Sequence, residues 1–316
     1  MMRNFCRVWI GLLAALAPAS ADQPELECLW NDGEFTEGVA VRSDGIVFFS
    51  DIARDPQAPG RILQFDPATQ KVTVFSADSR KSNGLFFDSH DQLWACCGAN
   101  GGAMALCRVS AEGRIIPVVS RFDGRRLNSP NDLVVLADGS IYFSDPRYVG
   151  PEPMELDHQS VFRFSPATRT LTRATTDIEK PNGVHVSPDE RRVYVAETNN
   201  GSTGSGDTDP AGMGRMTLNV FDRDKQGRLH NKRVLKDFGK QTGIDGMTVA
   251  ADGHLWAAVR AEDRFGIAKF DTSGHELFFI ATPDLPTNCC FGKGTEQGVL
   301  YVTAGGGLYR LRWPGQ

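Results

Sequence analysis

The sequence predicts an all-β, six-bladed β-propeller of four-stranded blades, its ring closed by an N-terminal strand. Three observations carry this prediction. An oxygen-bearing side chain followed by a strand-like run recurs six times, at intervals of about 40–60 residues. Each interval has room for four short strands separated by turn residues. Beyond its first residues the chain shows almost no helical periodicity of apolar positions, which argues against helices layered on a parallel sheet.

The six openings are Glu37-Gly38-Val39, Asn83-Gly84-Leu85, Asn131-Asp132-Leu133, Asn182-Gly183-Val184, Asp245-Gly246-Met247 and Asn288-Cys289-Cys290. Turn chemistry follows in four of them, at Asp44-Gly45, Asp138-Gly139, Ser187-Pro188-Asp189 and Asp252-Gly253. Asp-Gly between apolar runs signals a hairpin, because both residues tolerate positive φ. Second strands are expected after these turns, then third and fourth strands such as Arg61–Phe65 and Lys71–Phe75. The sixth copy stops after a third strand at Leu308–Leu311. Leu26–Trp30, upstream of the first copy, is the spare strand that would complete it and remove an open edge.

The remaining composition narrows the function. With a formal net charge of −5 and no basic stripe, the chain offers nothing to nucleic acid. Arg3 and Arg7 precede an apolar run from Val8 to Ala17, and Ala19-Ser20-Ala21 supplies a cleavage signal. Residues 1–21 are therefore expected to be a cleaved signal peptide. The expected product is a single domain, 22–316, periplasmic or secreted, with no membrane segment. Cys28, Cys96, Cys97, Cys107, Cys289 and Cys290 would then meet an oxidising compartment, where bridges are permitted but their pairing is not legible.

In a propeller the first strand of every blade lines the central channel. Glu37, Asn83, Asn131, Asn182, Asp245 and Asn288 should therefore converge as a ring of oxygen donors. Asn-Gly and Asp-Gly are also ordinary turn formers, yet six in register, with Glu37 a poor turn former, favour the ring. Oxygen donors without imidazole or thiolate suit Ca²⁺, which accepts 6–8 of them. Asp51, Cys97, Asp145 and Glu197, at the ends of second strands, are either ligand-holding groups or loop caps. Strand alternation from Asn182 points His185 away from the channel, as a packed or hydrogen-bonded histidine. No G-x-S-x-G is present to support a serine nucleophile.

The strings Leu127-Asn128-Ser129-Pro130-Asn131-Asp132, Asp138-Gly139-Ser140-Ile141-Tyr142-Phe143-Ser144-Asp145-Pro146 and Pro181-Asn182-Gly183 resemble the gluconolactonase/regucalcin (senescence marker protein) family. The resemblance covers essentially the whole mature chain. It implies a catalytic Ca²⁺ held by Glu37, Asn131, Asn182 and Asp245; another divalent cation, Zn²⁺, Mn²⁺ or Mg²⁺, is the alternative occupant of the same oxygens. It also implies hydrolysis of a small-molecule lactone, most simply a sugar lactone, with Asp245 as base or nucleophile. Asn83, Asn128, Asp145 and Asn288 are expected to contact the substrate. The chain departs from the family pattern at Val39 and Ile244, where proline is usual. The rival functions are a Ca²⁺-dependent phosphotriester hydrolase and a non-catalytic binding propeller with a structural Ca²⁺.

Overall fold

A computed structural model describes residues 24–202, 212–261 and 264–313. The expected signal peptide lies outside the described residues. Six four-stranded antiparallel sheets form the blades. The first blade comprises Thr36–Val41, Val47–Asp51, Arg61–Asp66 and Lys71–Ser76. The second comprises Ser82–Phe87, Leu93–Cys97, Ala105–Val109 and Ile115–Val119. Leu133–Val135, Ile141–Asp145, Ser160–Ser165 and Thr170–Thr175 make the third. The fourth uses Pro181–Val186, Arg192–Thr198, Met216–Arg223 and Leu229–Asp237. Ile244–Val249, Leu255–Ala261, Arg264–Phe270 and Glu276–Ala281 build the fifth. A two-stranded hairpin, Arg121–Phe122 with Arg125–Arg126, interrupts the passage from the second blade to the third.

The sixth blade takes three strands from the C-terminal part of the chain, Pro286–Phe291, Leu300–Ala304 and Gly307–Arg312. Its fourth is Glu25–Trp30, paired antiparallel with Gly307–Arg312 from Glu25↔Arg312 to Trp30↔Leu308. Arg310 locks this closure with a bidentate pair to Glu27, Nε–Oε2 2.6 Å and Nη2–Oε1 3.0 Å. Trp30 packs edge-on against Phe49 of the first blade, ring centroids 5.5 Å apart.

Alternation within the strands sends successive side chains to opposite neighbours. Val47 and Phe49 pack with Tyr301 and Leu308 of the sixth blade. Phe48 packs the other way, with Phe87 and Ala95 of the second. The same division repeats around the circle, so each blade interface holds its own apolar cluster. Such packing fixes the angle between blades, and with it the positions of the inner-strand ends. The six cysteines of the described chain are free thiols.

Candidate active site

Five of the six inner strands are irregular where they open. Their registers shift between Glu37 and Ala40, Ser82 and Leu85, Pro181 and Val184, Ile244 and Met247, and Pro286 and Asn288. A bulge re-aims side chains and ends regular pairing. In the third blade the strand proper begins at Leu133. Asn131 is held before it by its N–H donating to the Ser144 carbonyl at 2.9 Å.

These openings touch one another in sequence around the axis. A Cβ on Gly38, which has φ +48°, would lie 1.9 Å from the Asn83 carbonyl oxygen. A Cβ on Gly84, Gly183 or Gly246 would likewise collide with Asn131, Asp245 or Asn288. Glycine after the ring residue is what lets neighbouring blades approach so closely. The Thr287 hydroxyl donates to the Thr36 carbonyl at 2.8 Å and joins the last blade to the first.

The ring positions are therefore brought together, and most are buried: Glu37 4%, Asn182 4%, Asp245 3% and Asn288 6% exposed. Asn83 and Asn131 are half-buried. Asp245 is in hydrogen-bond contact with Asn182 and Glu37. Burial, then the Asp245 charge, pushes the Glu37 carboxyl well above its ordinary range. Burial also raises Asp245, against the opposing pull of Arg260. Asn182 Oδ1 is buried with no hydrogen-bond donor, whereas the buried Asp245 Oδ2 meets the Arg260 guanidinium. An orphaned buried oxygen beside crowded carboxylates is costly unless a cation meets it. Among the described residues no three His, Cys, Asp or Glu side chains gather as a metal cluster. A cation here would depend on the asparagine oxygens as well, and an all-oxygen set fits a hard divalent ion.

Three further residues belong to this neighbourhood and escaped the sequence reading. Asp132 is 6% exposed, accepts the Val184 N–H at 3.1 Å, and is pushed up to about 7 chiefly by burial. Its position directly after Asn131 was the available signal. Tyr148, on the loop after Asp145, is in hydrogen-bond contact with Asn182 and donates its hydroxyl to the Thr198 carbonyl at 3.0 Å. Arg260 forms an ion pair with Asp245.

Asn128 and Asp145 are not on the channel wall. Both are fully buried, and Asp145 accepts the Asn128 and Ser129 N–H groups at 2.8 and 2.7 Å. Asn128 Nδ2 donates to the Asp145 and His158 carbonyls at 3.1 and 3.3 Å. These contacts make the pair a loop clamp, with no surface left to meet a substrate. Asp51 and Glu197 cap loops in the same way, accepting from Glu34 at 2.8 Å and Glu179 at 2.6 Å.

His185 also differs from expectation. Its ring is 6.3 Å from Phe86, on a blade two places away, so it faces the axis below the ring. The bulge between Pro181 and Val184 shifts the parity on which alternation relies. It is nonetheless hydrogen-bonded, Nδ1 to the Val186 carbonyl at 3.1 Å.

Residues 35–306 match the family described as SMP-30/Gluconolactonase/LRE-like region. A gluconolactonase of Zymomonas mobilis is 29% identical, over 91% of this chain and 81% of that protein. The solved gluconolactonase of Xanthomonas campestris is 30% identical with a TM-score of 0.76, covering 92% of this chain and 90% of its own. A calcium-binding regucalcin from Agrobacterium tumefaciens shares the fold at 18% identity, with a TM-score of 0.67 and coverage of 91% and 93%. The match spans nearly all of the propeller, ring included, and the chain belongs to the SMP-30/gluconolactonase/LRE-like family.

Proposed function

We propose that this protein hydrolyses a small lactone, of the sugar-acid type, at the ring formed by Glu37, Asn131, Asn182 and Asp245. The observation that carries the proposal is the buried all-oxygen ring, with Asn182 Oδ1 left unpartnered, on a chain whose relatives include named gluconolactonases. Glu37, Asn131, Asn182 and Asp245 would hold a divalent cation, Ca²⁺ first among the candidates. When bound, the ion supplies polarisation of the substrate carbonyl and compensates the charge that develops on its oxygen.

The protein's own part is proton transfer and positioning. A water oxygen bonds to the carbonyl carbon while Asp245 takes one of its protons. The ring C–O bond then breaks and the departing oxygen receives that proton, which leaves a hydroxy acid that ionises in solution. Asn83 and Asn288 complete the wall and are proposed to hold the substrate hydroxyls. Tyr148, in hydrogen-bond contact with Asn182, would help hold that amide in place.

A panel of aldonolactones and activated phosphotriesters, assayed with chelator and with Ca²⁺ restored, tests this. Lactone turnover lost with chelator and recovered with Ca²⁺ is the expected result. Faster phosphotriester turnover, or no turnover of either class, would remove lactone hydrolysis as the activity. Export with cleavage after Ala21 is part of the same proposal, and N-terminal sequencing should begin at Asp22.

A further inference from the structure

In five of the blades a backbone N–H at or just past the end of the second strand folds back over its own blade. Ile52, Gly98, Thr198, Arg260 and Gly305 donate to the carbonyls of Phe35, Lys81, Lys180, Gly243 and Leu285 at 2.9, 2.9, 3.0, 2.8 and 2.9 Å. Pro146, which has no N–H, follows the second strand of the remaining blade. Five blades thus place an uncharged residue at this tier just above the ring. The fifth places Arg260. Nothing in the shared backbone bond calls for a guanidinium.

The Arg260 side chain goes to the ring. Its Nε donates to the Pro286 carbonyl of the sixth blade at 2.7 Å, and Phe35 lies beneath the guanidinium at 5.9 Å. These contacts aim Nη2 at Asp245 Oδ2, with which it forms an ion pair. Neither atom has any further partner. The side chain is 16% exposed, so solvent screens the pair little. Glu37 and Asp132 add two more acidic groups nearby, and the Arg260 charge opposes the rise of both Glu37 and Asp245.

We infer that Arg260 is a positioning residue and a built-in rival of the divalent cation. It holds the Asp245 carboxylate while the ring lacks an ion, and it must give up Oδ2 when an ion binds. The inference rests on the reading of the ring as a cation site. A guanidinium and a divalent ion sharing one carboxylate repel each other at close range in a poorly screened setting.

The experiment uses the full mature chain, stripped with chelator, as wild type, Arg260→Gln and Arg260→Lys. Calorimetric titration with CaCl₂ should show Arg260→Gln binding about ten-fold or more tightly than wild type, because the competing charge is gone. Arg260→Lys keeps the charge and should stay within about three-fold of wild type. Stripped Arg260→Gln should melt below stripped wild type, since the ring loses its counter-charge. Equal or weaker Ca²⁺ binding by Arg260→Gln overturns the rivalry while leaving the cation site intact. No binding by any of the three proteins overturns both. Should Arg260→Gln fail to fold, the guanidinium resonances of wild type decide: they should shift on Ca²⁺ addition, and unshifted signals overturn the proposal.

Discussion

Asp145 and His185 show how residue roles follow from local contacts. Asp145→Ala would leave the buried N–H groups of Asn128 and Ser129 without an acceptor, each worth roughly 1–3 kcal/mol. The variant should therefore melt well below wild type, while its KM for lactone with saturating cation stays within about three-fold, as for residues outside a site. Unchanged stability with a raised KM would return Asp145 to the substrate. For His185 the sign follows from burial, which lowers its pKa below the ordinary 6.5. The unfolded chain then binds the proton more readily than the folded one. This contribution to stability is present above about 6.5 and is lost as pH falls toward the depressed folded value. Thermal melts from pH 7.5 down to pH 5 should show a loss in wild type that is smaller in His185→Gln. Parallel curves would place the histidine outside the pH response.

Among the elements, the closing strand was legible because the last repeat is visibly short and an apolar segment stands unused upstream. The inner-strand ring was legible for a similar reason, since every repeat opens on an oxygen-bearing residue. The bulges were not, because an extra residue in one strand leaves the alternation intact on either side. That is why simple alternation points His185 to the wrong face. Arg260 was also invisible, because only the folded-back N–H bonds reveal that it shares a tier with Ile52, Gly98, Thr198 and Gly305. The strand Glu25–Trp30 packs half-buried Trp30 against Phe49 and anchors Glu27 to Arg310. A chain beginning at Asp32 forfeits both and exposes the edge of Gly307–Arg312. Full burial of a large apolar side chain is worth roughly 1.5–3 kcal/mol, and half-buried Trp30 supplies a part of that. The truncated protein should melt lower and with a broader transition; an unchanged melt would mean that the ring closes without this strand.

For the whole molecule, six separately packed interfaces turn a loose sequence repeat into fixed geometry. No single blade contains the site; Glu37, Asn131, Asn182 and Asp245 come from four of them. The rigidity of the clusters between blades is what allows oxygens from distant parts of the chain to meet without a helix or a long loop to carry them. The most direct measurement of the central claim is kcat/KM for an aldonolactone with wild type and Asp245→Asn, both saturated with Ca²⁺. The substitution is nearly isosteric and keeps an oxygen for the ion, but the amide cannot take a proton from water. The proposal predicts a folded protein whose turnover falls by roughly 10²–10⁴; full lactonase activity in Asp245→Asn would contradict it.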